Sequence, residues 1–451
     1  MQTLALFARL INTLTMPTTT LDPTLADSPD IEAATMRKVA WRLLPTLMLG
    51  YFIAFIDRVN VGFAALQMNQ DIGLSATQFG LGGGLFYLTY VLLEIPSNLA
   101  MKKVGARLWI ARIMISWGLV SAGMAFVSGS TSFYAMRMLL GAAEAGFFPG
   151  VILYLTYWFP ATYRARIIAI FMVAIPLSSF LGSPLSAALL QLNGWLGFKG
   201  WQGMFVLEAM PAIALGLLTP LLLSDGPAKA AWLQPRQKEW LLQRMADESA
   251  TRVGSKDHAP LLQVLTNRYV LAAALIYAGA SGASQVLSLW QPQIIKSFGL
   301  STFHTGLLNS IPFGVASILM LWWGNRSDRQ NERVWHTGLP LVAVAVSLAL
   351  VAFAANSLTL TIGLLVVAVT GTYIFKGPFW ALASEWMTGA AAAAGLAQVN
   401  AIGNLAGFAG SALLGVIKDA TGSFSMALLP IAAISAVGCL VLWACARTPK
   451  N

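Results

Sequence analysis

Charged residues are scarce in this chain of 451 residues. Asp, Glu, Lys and Arg together make up 10% of it and hydrophobic residues 57%, whereas an average soluble domain is about a quarter charged and about half apolar. A chain of this length with so few charges could not cover its surface in water. The low charge and an aromatic content of 11% also exclude intrinsic disorder. The composition therefore predicts a polytopic membrane protein.

Cysteines and histidines are few, and a nucleotide-binding loop is missing. The two cysteines, Cys439 and Cys445, lie in one apolar stretch near the C-terminus, which excludes a disulfide scaffold and an array of zinc knuckles. The sequence contains no G-x-x-x-x-G-K-[ST] phosphate loop, and the glycine-rich stretch 80–84 is better explained by close helix packing. We therefore expect no metal, no cofactor and no enzymatic activity, which disfavours an ATP-driven pump or a membrane enzyme.

Twelve apolar runs have the length that a helix needs to cross a bilayer, about 18 residues or more. A polar segment, 224–268, separates the first six runs from the last six. We predict an all-α membrane protein with twelve transmembrane helices in two six-helix bundles, 41–223 and 269–446, and tails at 1–40 and 447–451. The predicted spans, numbered 1 to 12, are roughly 43–63, 79–99, 108–128, 133–154, 167–190, 202–223, 269–290, 303–324, 335–354, 358–384, 393–416 and 426–446.

The orientation follows from the basic residues, which stay on the cytoplasmic side of membrane proteins. If the N-terminus is cytoplasmic, 21 of the 28 Lys and Arg residues fall in inner segments and only three, Lys199, Lys296 and Lys418, in outer loops. Both termini and the segment 224–268 are therefore predicted to be cytoplasmic. The same asymmetry accounts for the net charge of +10, so we expect no nucleic acid partner in spite of that charge.

Charged residues at membrane depth are costly and usually face a cavity or a partner. Span 1 contains Asp57 and Arg58, and Tyr51 shares a helix face with Arg58. In span 4, Arg137 and Glu144 lie on one stripe, about two turns apart. Mutual neutralisation inside the membrane is the alternative, but two acids and two arginines on two helices favour a transport cavity.

Three further acids lie near span ends. Glu94 shares one face of span 2 with Tyr90, and an ion pair explains it as well as a functional role does. Glu208 in span 6 and Glu385 at the end of span 10 are expected to be interfacial or gate contacts.

The C-terminal half has polar but mostly uncharged faces. These consist of Ser284, Gln285, Ser288 and Gln291 in span 7, Phe379 and Trp380 in span 10, and Asn400 and Asn404 in span 11. Helix interfaces also favour amide and small side chains, so packing explains each of them alone. Lys376 is the exception, because a lone ammonium beside the Gly377-Pro378 break needs an anion or a water-filled cavity. Charge in one half and hydrogen bonding in the other predict an asymmetric anion site.

Two basic turns occupy the same place in each half. One, 97–107, joins spans 2 and 3, and the other, 323–333, joins spans 8 and 9. Both match, imperfectly, the pattern G-[DN]-x-x-x-[DR]-[KR]-x-G-R-[RK] of the major facilitator superfamily. Internal repeats of this kind are common in transporters.

Several motifs occur together in one family, and from about residue 36 onward the chain resembles the anion:cation symporters of that superfamily. The motifs are Asp57-Arg58-Val59-Asn60, Pro96-Ser97-Asn98, the run from Arg137 to Gly150, Gly377-Pro378-Phe379-Trp380 and Asn400-Ala401-Ile402-Gly403-Asn404. The resemblance implies the major facilitator fold and a bacterial inner-membrane importer of organic anions, driven by a proton gradient. It is strongest to phthalate and tartrate permeases. Phthalate, and hence a place in aromatic hydrocarbon catabolism, is the first expectation. Tartrate or a sugar acid such as galactonate or glucarate is the alternative.

The resemblance also indicates which side chains act. Two acids, Asp57 and Glu144, are expected to carry the coupling proton. The expected substrate contacts are Arg58, Arg137, Tyr51, Tyr90, Gln285, Phe379, Trp380 and Asn400. Arginine suits a carboxylate because of its planar fork of donors, and the aromatic side chains would form the walls. Protonation of the acids would release the arginines for the substrate.

Two rival functions remain. A drug or cation antiporter would carry a Gly-rich motif with Gly-Pro in span 5, of which Gly182-Ser183-Pro184 is only a remnant. A transporter-like sensor would need an output domain, and neither the tails nor the segment 224–268 resemble one. We expect a protein that works as a monomer in membrane lipid, with a small organic anion and protons as its partners.

Overall fold

Helices account for all regular secondary structure in the part of the chain that the structure describes. The structure is a computed structural model, and it describes residues 29–252, 265–354, 356–387 and 391–447. Within these ranges, 12 helical segments are long and apolar enough to cross a membrane. The predicted fold class, an all-α membrane protein with twelve spans, is therefore confirmed. The domain boundaries given above stay predictions.

The helices are numbered by the span to which they belong. They are Pro29–Asp71 (span 1), Ala76–Val104 (2), Ala106–Gly123 (3), Ser130–Glu144 and Phe147–Thr156 (4), Ala161–Leu189 (5), Gly200–Leu222 (6), Arg268–Lys296 (7), Thr302–Gln330 (8), Val334–Val351 (9), Leu358–Ile374 and Lys376–Trp386 (10), Ala391–Thr421 (11), and Phe424–Ala427 with Leu429–Arg447 (12). The remaining helix, Pro235–Arg252, lies between spans 6 and 7, and short 3-10 turns occur at Met124–Phe126, Trp195–Gly197 and Pro227–Lys229.

Span 1 begins inside the segment expected to be a tail. Its helix starts at Pro29, a residue that suits the first helical turn because it has no N–H to leave unpaired. Met36 and Val39 are fully buried, and Tyr163 of span 5 donates a hydrogen bond to Glu32 at 2.9 Å. From Pro29 onward, the segment predicted as a tail is therefore part of span 1, because this polar beginning of the helix packs against the bundle.

The connection between the halves contains a helix that the sequence analysis did not predict. Pro235–Arg252 is tied to the first half by Glu248, which pairs with Arg164 at 2.9 Å and accepts a hydrogen bond from the backbone N–H of Ala161 at 2.9 Å. This helix therefore lies at the end of the molecule where span 1 begins and span 12 ends. We call that end the terminal end and the opposite one the far end.

The fourth span of each half, span 4 and span 10, is irregular near its middle. Span 4 breaks at Gly146, whose φ of +86° favours glycine, and a Cβ there would collide with Ser97. Span 10 keeps helical dihedral angles through Phe375 but lacks one ladder hydrogen bond just before Lys376, because Pro378 has no N–H to donate. The two irregular places lie next to Glu144 in span 4 and Lys376 in span 10. Interrupted helices at corresponding positions of two halves are a common mark of a transporter's binding site.

The two halves are joined tightly at the far end. Asp419 of span 11 accepts hydrogen bonds from the backbone N–H groups of Ala76 and Thr77 in span 2, at 3.1 and 2.7 Å. Asn309 of span 8 donates to Ser183 of span 5 at 2.9 Å. Asp419 thus caps N–H groups at the start of span 2, and both sets of contacts close the far end between the halves.

The terminal end is built differently. The helices Phe147–Thr156 and Lys376–Trp386, which are the terminal-end parts of spans 4 and 10, pack mainly against helices of their own half. The halves are therefore closed at the far end and less closely joined at the terminal end.

Candidate substrate site

Spans 1 and 4 meet at a buried ion pair. Arg58 donates from Nε to Oε1 of Glu144 at 2.7 Å, and its Nη2 contacts the same oxygen. Glu144 is 2% exposed and ends the first helix of span 4. Removal of one partner of such a pair leaves the other charge buried and uncompensated, which is costly. The structure thus pairs Arg58 with Glu144 and not with its neighbour in sequence, Asp57.

Aromatic rings surround the Arg58 guanidinium. Its central carbon lies 4.9 Å from the ring centroid of Phe55, 5.1 Å from that of Tyr90 and 5.4 Å from that of Phe86. Cation–π attraction of this kind favours a charged group with little water around it. Tyr51, one turn before Phe55, stacks on Phe171 of span 5 at 4.3 Å between centroids. The predicted contacts Tyr51 and Tyr90 therefore belong to one aromatic wall, which packs around the Arg58 guanidinium.

Arg137 lies on the other side of Phe86. Its central carbon is 5.0 Å from that ring, and its Nη2 donates to the carbonyl oxygen of Gly83 at 3.2 Å. Its Nε has no hydrogen-bond partner among the described residues although the side chain is 3% exposed. Glu144, which the sequence placed on the same stripe, is bonded to Arg58. Unlike Arg58, Arg137 therefore has N–H donors that no carboxylate of the described residues binds.

Asp57 points away from this wall and into the first half. Its carboxylate accepts hydrogen bonds from Trp117 at 2.8 Å, Ser121 at 3.0 Å and Asn60 at 3.2 Å, and the residue is 2% exposed. Asp57 thus links spans 1 and 3, and its predicted role in coupling stays a prediction.

Glu208 and Glu385 were both expected to be interfacial or gate contacts, and the structure confirms an exposed position for only one of them. Glu208 is 5% exposed inside the first half, where Ser186 donates to it at 2.7 Å, so the expectation of an interfacial or gate contact is wrong for this residue. Glu385 lies 4.0 Å from Arg333 at the terminal end, with its side chain 48% exposed, as expected for an interfacial residue.

The second half contributes an aromatic cluster and a line of amides. Tyr277 of span 7 stacks on Phe379 at 5.2 Å and is tilted against Trp380 at 4.9 Å between centroids. Phe379 is 1% exposed, whereas Trp380 is half-buried. Of these two predicted contacts, only Trp380 therefore has ring surface left for a ligand.

Gln285 is the centre of the amide line. It donates from Nε2 to Asn404 at 3.0 Å and to Ser281 at 3.2 Å, while its Oε1 has no partner among the described residues. Asn400 lies one turn before Asn404 and is half-buried. Gln291, by contrast, is fully buried and donates to the carbonyl oxygen of Asn309 at 3.3 Å, which makes it a contact between spans 7 and 8.

Lys376 begins the second helix of span 10. Its Nζ lies 4.3 Å from the ring centroid of Tyr373, and the residue is half-buried. It forms no ion pair or side-chain hydrogen bond with any residue in the described ranges. The charged group that acts on it is Arg58 of the first half, which carries the same sign.

Two aromatic residues of the site escaped the sequence analysis. Phe86 separates the two arginines, and its spacing of four residues from Tyr90 could have revealed it. Tyr277 precedes Ser281 and Gln285 at the same spacing of four residues. Apolar and aromatic positions of this kind recur throughout a membrane helix, so spacing alone did not distinguish them.

Comparison with known proteins points to one family. The family model described as Major Facilitator Superfamily matches residues 47–411. A protein of Agrobacterium vitis, provisionally named a tartrate transporter, is 48% identical over 94% of this chain and 97% of its own length. A quinolone resistance transporter of Acinetobacter baumannii is 37% identical over 92% of this chain and 95% of its own length. The crystal structure of a D-xylose-proton symporter matches with a TM-score of 0.73 at 16% identity, covering 89% of this chain and 97% of that one, which supports the fold alone.

Proposed function

Because the chain belongs to the major facilitator superfamily and is therefore a multi-pass membrane transporter rather than an enzyme, we propose that it imports a hydroxylated dicarboxylate of the tartrate class by proton symport. The observation that carries this proposal is the pair of arginines around Phe86. Arg58 and Arg137 lie 5.4 and 5.0 Å from its ring, and Arg137 forms no ion pair with a described residue. Guanidinium groups bind carboxylates through two parallel hydrogen bonds.

The second half favours tartrate over phthalate as the first choice. A hydroxylated acid needs hydrogen-bond partners between its carboxylates, and the second half offers the amides of Gln285 and Asn404 with the half-buried Asn400 one turn away. The relative that is 48% identical bears a tartrate transporter's name. Phthalate, the substrate first expected from the sequence, stays the second candidate substrate because Tyr277 and Trp380 could hold a flat ring.

Proton coupling is proposed to act through the ion pair between Arg58 and Glu144. In the structure Glu144 occupies the fork of Arg58, so substrate and Glu144 compete for the same donors. Protonation of Glu144 removes its charge and releases Arg58 to bind a carboxylate. The incoming carboxylate then replaces the lost partner, so that the arginine never remains buried without one. Proton entry and anion entry are coupled by this exchange.

The orientation is proposed from the distribution of charge. The excess of basic residues in the predicted inner segments supports cytoplasmic termini and spans in a bacterial inner membrane. The far end then faces outward. Contacts of Asp419 and Asn309 close the far end, and with this orientation they support an inward-facing conformation, the state in which a symporter releases its cargo.

Export of drugs is the second candidate function, because a relative that is 37% identical bears the name of a quinolone resistance transporter. Uptake into proteoliposomes distinguishes the two. With an inward proton gradient, the purified protein should accumulate labelled tartrate above the outside concentration, and a protonophore should abolish this. Accumulation of phthalate instead would change the substrate. Uptake that ignores the proton gradient, or proton release driven by a quinolone alone, would contradict tartrate symport.

A further inference from the structure

Four basic residues lie at membrane depth, and Lys376 differs from the other three. Arg58 is paired with Glu144, Arg137 donates to the carbonyl oxygen of Gly83, and Arg112 donates to that of Ala143 at 3.5 Å. Lys376 has the ring of Tyr373 under its ammonium group but no hydrogen-bond acceptor among the described residues. Attraction to a ring replaces only part of the water that a Lys ammonium group binds.

Lys376 lies where span 10 lacks one hydrogen bond of its helical ladder, because Pro378 has no N–H to donate. The helix Leu358–Ile374 continues into Lys376–Trp386 through Phe375, whose dihedral angles are helical. The side chain therefore lies in the fourth span of the second half, at the place in the order of spans where span 4 of the first half breaks after Glu144. Both places bring charged side chains to the interface between the halves.

Charge is unbalanced at this interface. Arg58, Arg137 and Lys376 are cationic and outnumber the acids Glu144 and Glu94, and Arg58 acts on Glu94 as an opposite charge and on Lys376 as a like charge. Glu144, the carboxylate bonded to Arg58, contacts neither Arg137 nor Lys376. An arrangement with two cations in one half and one in the other fits an anion that carries two separated charges.

We propose that Lys376 binds the second carboxylate of the dicarboxylate, so that the substrate bridges the two halves. One carboxylate lies on the guanidinium groups of the first half, and the other on the ammonium group of span 10. This inference rests on the proposed function and adds to it a determinant of specificity: Lys376 makes the site selective for dicarboxylates over monocarboxylates. Because each carboxylate is held by a different half, a bound dianion draws span 10 toward spans 1 and 4.

Equilibrium binding to the purified full-length protein in detergent tests the inference. The two ligands are tartrate and its half-amide, in which one carboxylate is replaced by a neutral group of similar shape. Lys376→Gln should weaken tartrate binding about 10-fold or more, the usual effect of a lost hydrogen bond to a charged group, and leave half-amide binding unchanged. Lys376→Arg, which keeps the charge, should retain most of the preference for tartrate.

Lys418→Gln is the matched control. Lys418 also has an aromatic ring under its ammonium group, with Nζ 4.3 Å from the centroid of Phe424, but it lies exposed at the far end. This variant should bind both ligands as the unmodified protein does. If Lys376→Gln does not yield folded protein, Lys376→Met and Lys376→Arg decide the question by the same ratio of affinities.

The outcomes separate this inference from the proposed function. If the unmodified protein binds tartrate better than the half-amide and the uncharged variants keep that ratio, Lys376 does not hold the second carboxylate and the proposed function stands. An equal loss of both ligands in the uncharged variants also overturns the role, since it shows a structural effect. If the unmodified protein binds neither ligand, the proposed function fails and the inference fails with it.

Discussion

The two halves of the molecule place polar side chains in different ways. In the first half, Arg58 and Glu144 neutralise each other, and Asp57 is held by three donors. In the second half, the polar groups of Gln285 and Asn404 are neutral and bonded to each other. The first half thus stores charge that protonation can change, whereas the second half offers hydrogen bonds that depend on the shape of a ligand. The difference suggests that coupling and recognition are divided between the halves.

The free-energy cost of losing a polar contact also differs between the two halves. Removing one partner of a buried ion pair costs about 3–5 kcal/mol, while a neutral hydrogen bond is worth about 0.5–1.5 kcal/mol. Substitutions of Arg58 or Glu144 should therefore affect folding or coupling strongly, substitutions of Arg137 should affect the binding of a carboxylate, and substitutions in the amide line should change affinity by a smaller factor. The predictions below test this division in order of decreasing effect.

Glu144→Gln should abolish accumulation of substrate but not its exchange. The amide keeps the shape of the protonated acid and removes the charge that competes for Arg58, so the substrate can bind without a proton. Counterflow in preloaded vesicles should persist, while uptake against a gradient should fall to the level of protein-free vesicles. A variant that is folded yet has lost both would show that Glu144 acts in binding or structure, and normal accumulation would show that it is not needed for coupling.

Arg58→Ala should lower the free energy of unfolding by about 3–5 kcal/mol, because it leaves Glu144 buried without its partner. A drop in the thermal midpoint of the purified protein measures this. Arg112→Ala is the control, since Arg112 is exposed and donates only one long hydrogen bond. If Arg58→Ala were as stable as the control, the ion pair would contribute no net stability, because Glu144 can take up a proton once its partner is gone.

Arg137→Lys should weaken substrate binding about 10- to 100-fold, because an ammonium group cannot make the two parallel hydrogen bonds of a guanidinium. Binding of tartrate at equilibrium measures the change, and Arg112→Lys should leave it unaltered. An affinity that survives Arg137→Lys would mean that Arg137 contributes charge alone, or packs on Phe86 without touching the substrate.

The sequence predicted the faces of the helices better than their partners. Helical spacing placed Arg137 and Glu144 on one stripe of span 4, but Glu144 is bonded to Arg58 of span 1. Spacing fixes the direction of a side chain around its own helix, whereas its partner depends on how two helices are rotated and how deep each one sits. For the same reason Asp57 could not be assigned to Trp117 of span 3 before the packing was known.

The fold class followed from hydropathy alone, since each apolar run must satisfy its backbone within one helix. Hydropathy did not predict where a helix begins when the helix extends into polar sequence. The beginning of span 1 has no apolar run, yet Met36 and Val39 are buried against the bundle. Glu208 was misplaced for a related reason, because the burial of a lone acid beside Ser186 depends on the neighbouring span 5 and leaves no pattern in span 6.

The smallest expected effect concerns the amide line of the second half. Gln285→Leu removes the donor to Asn404 and, with it, an amide of the line proposed to bind a substrate hydroxyl. Tartrate affinity should fall about 3- to 10-fold, as expected for one neutral hydrogen bond, while the affinity for succinate, a dicarboxylate without hydroxyls, should stay the same. Gln291→Leu is the matched control, because this glutamine contacts Asn309 between spans 7 and 8; it should leave the tartrate-to-succinate ratio unchanged even if it lowers stability. A Gln285→Leu protein that loses both ligands equally, or neither, would show that the second half does not read the hydroxyls.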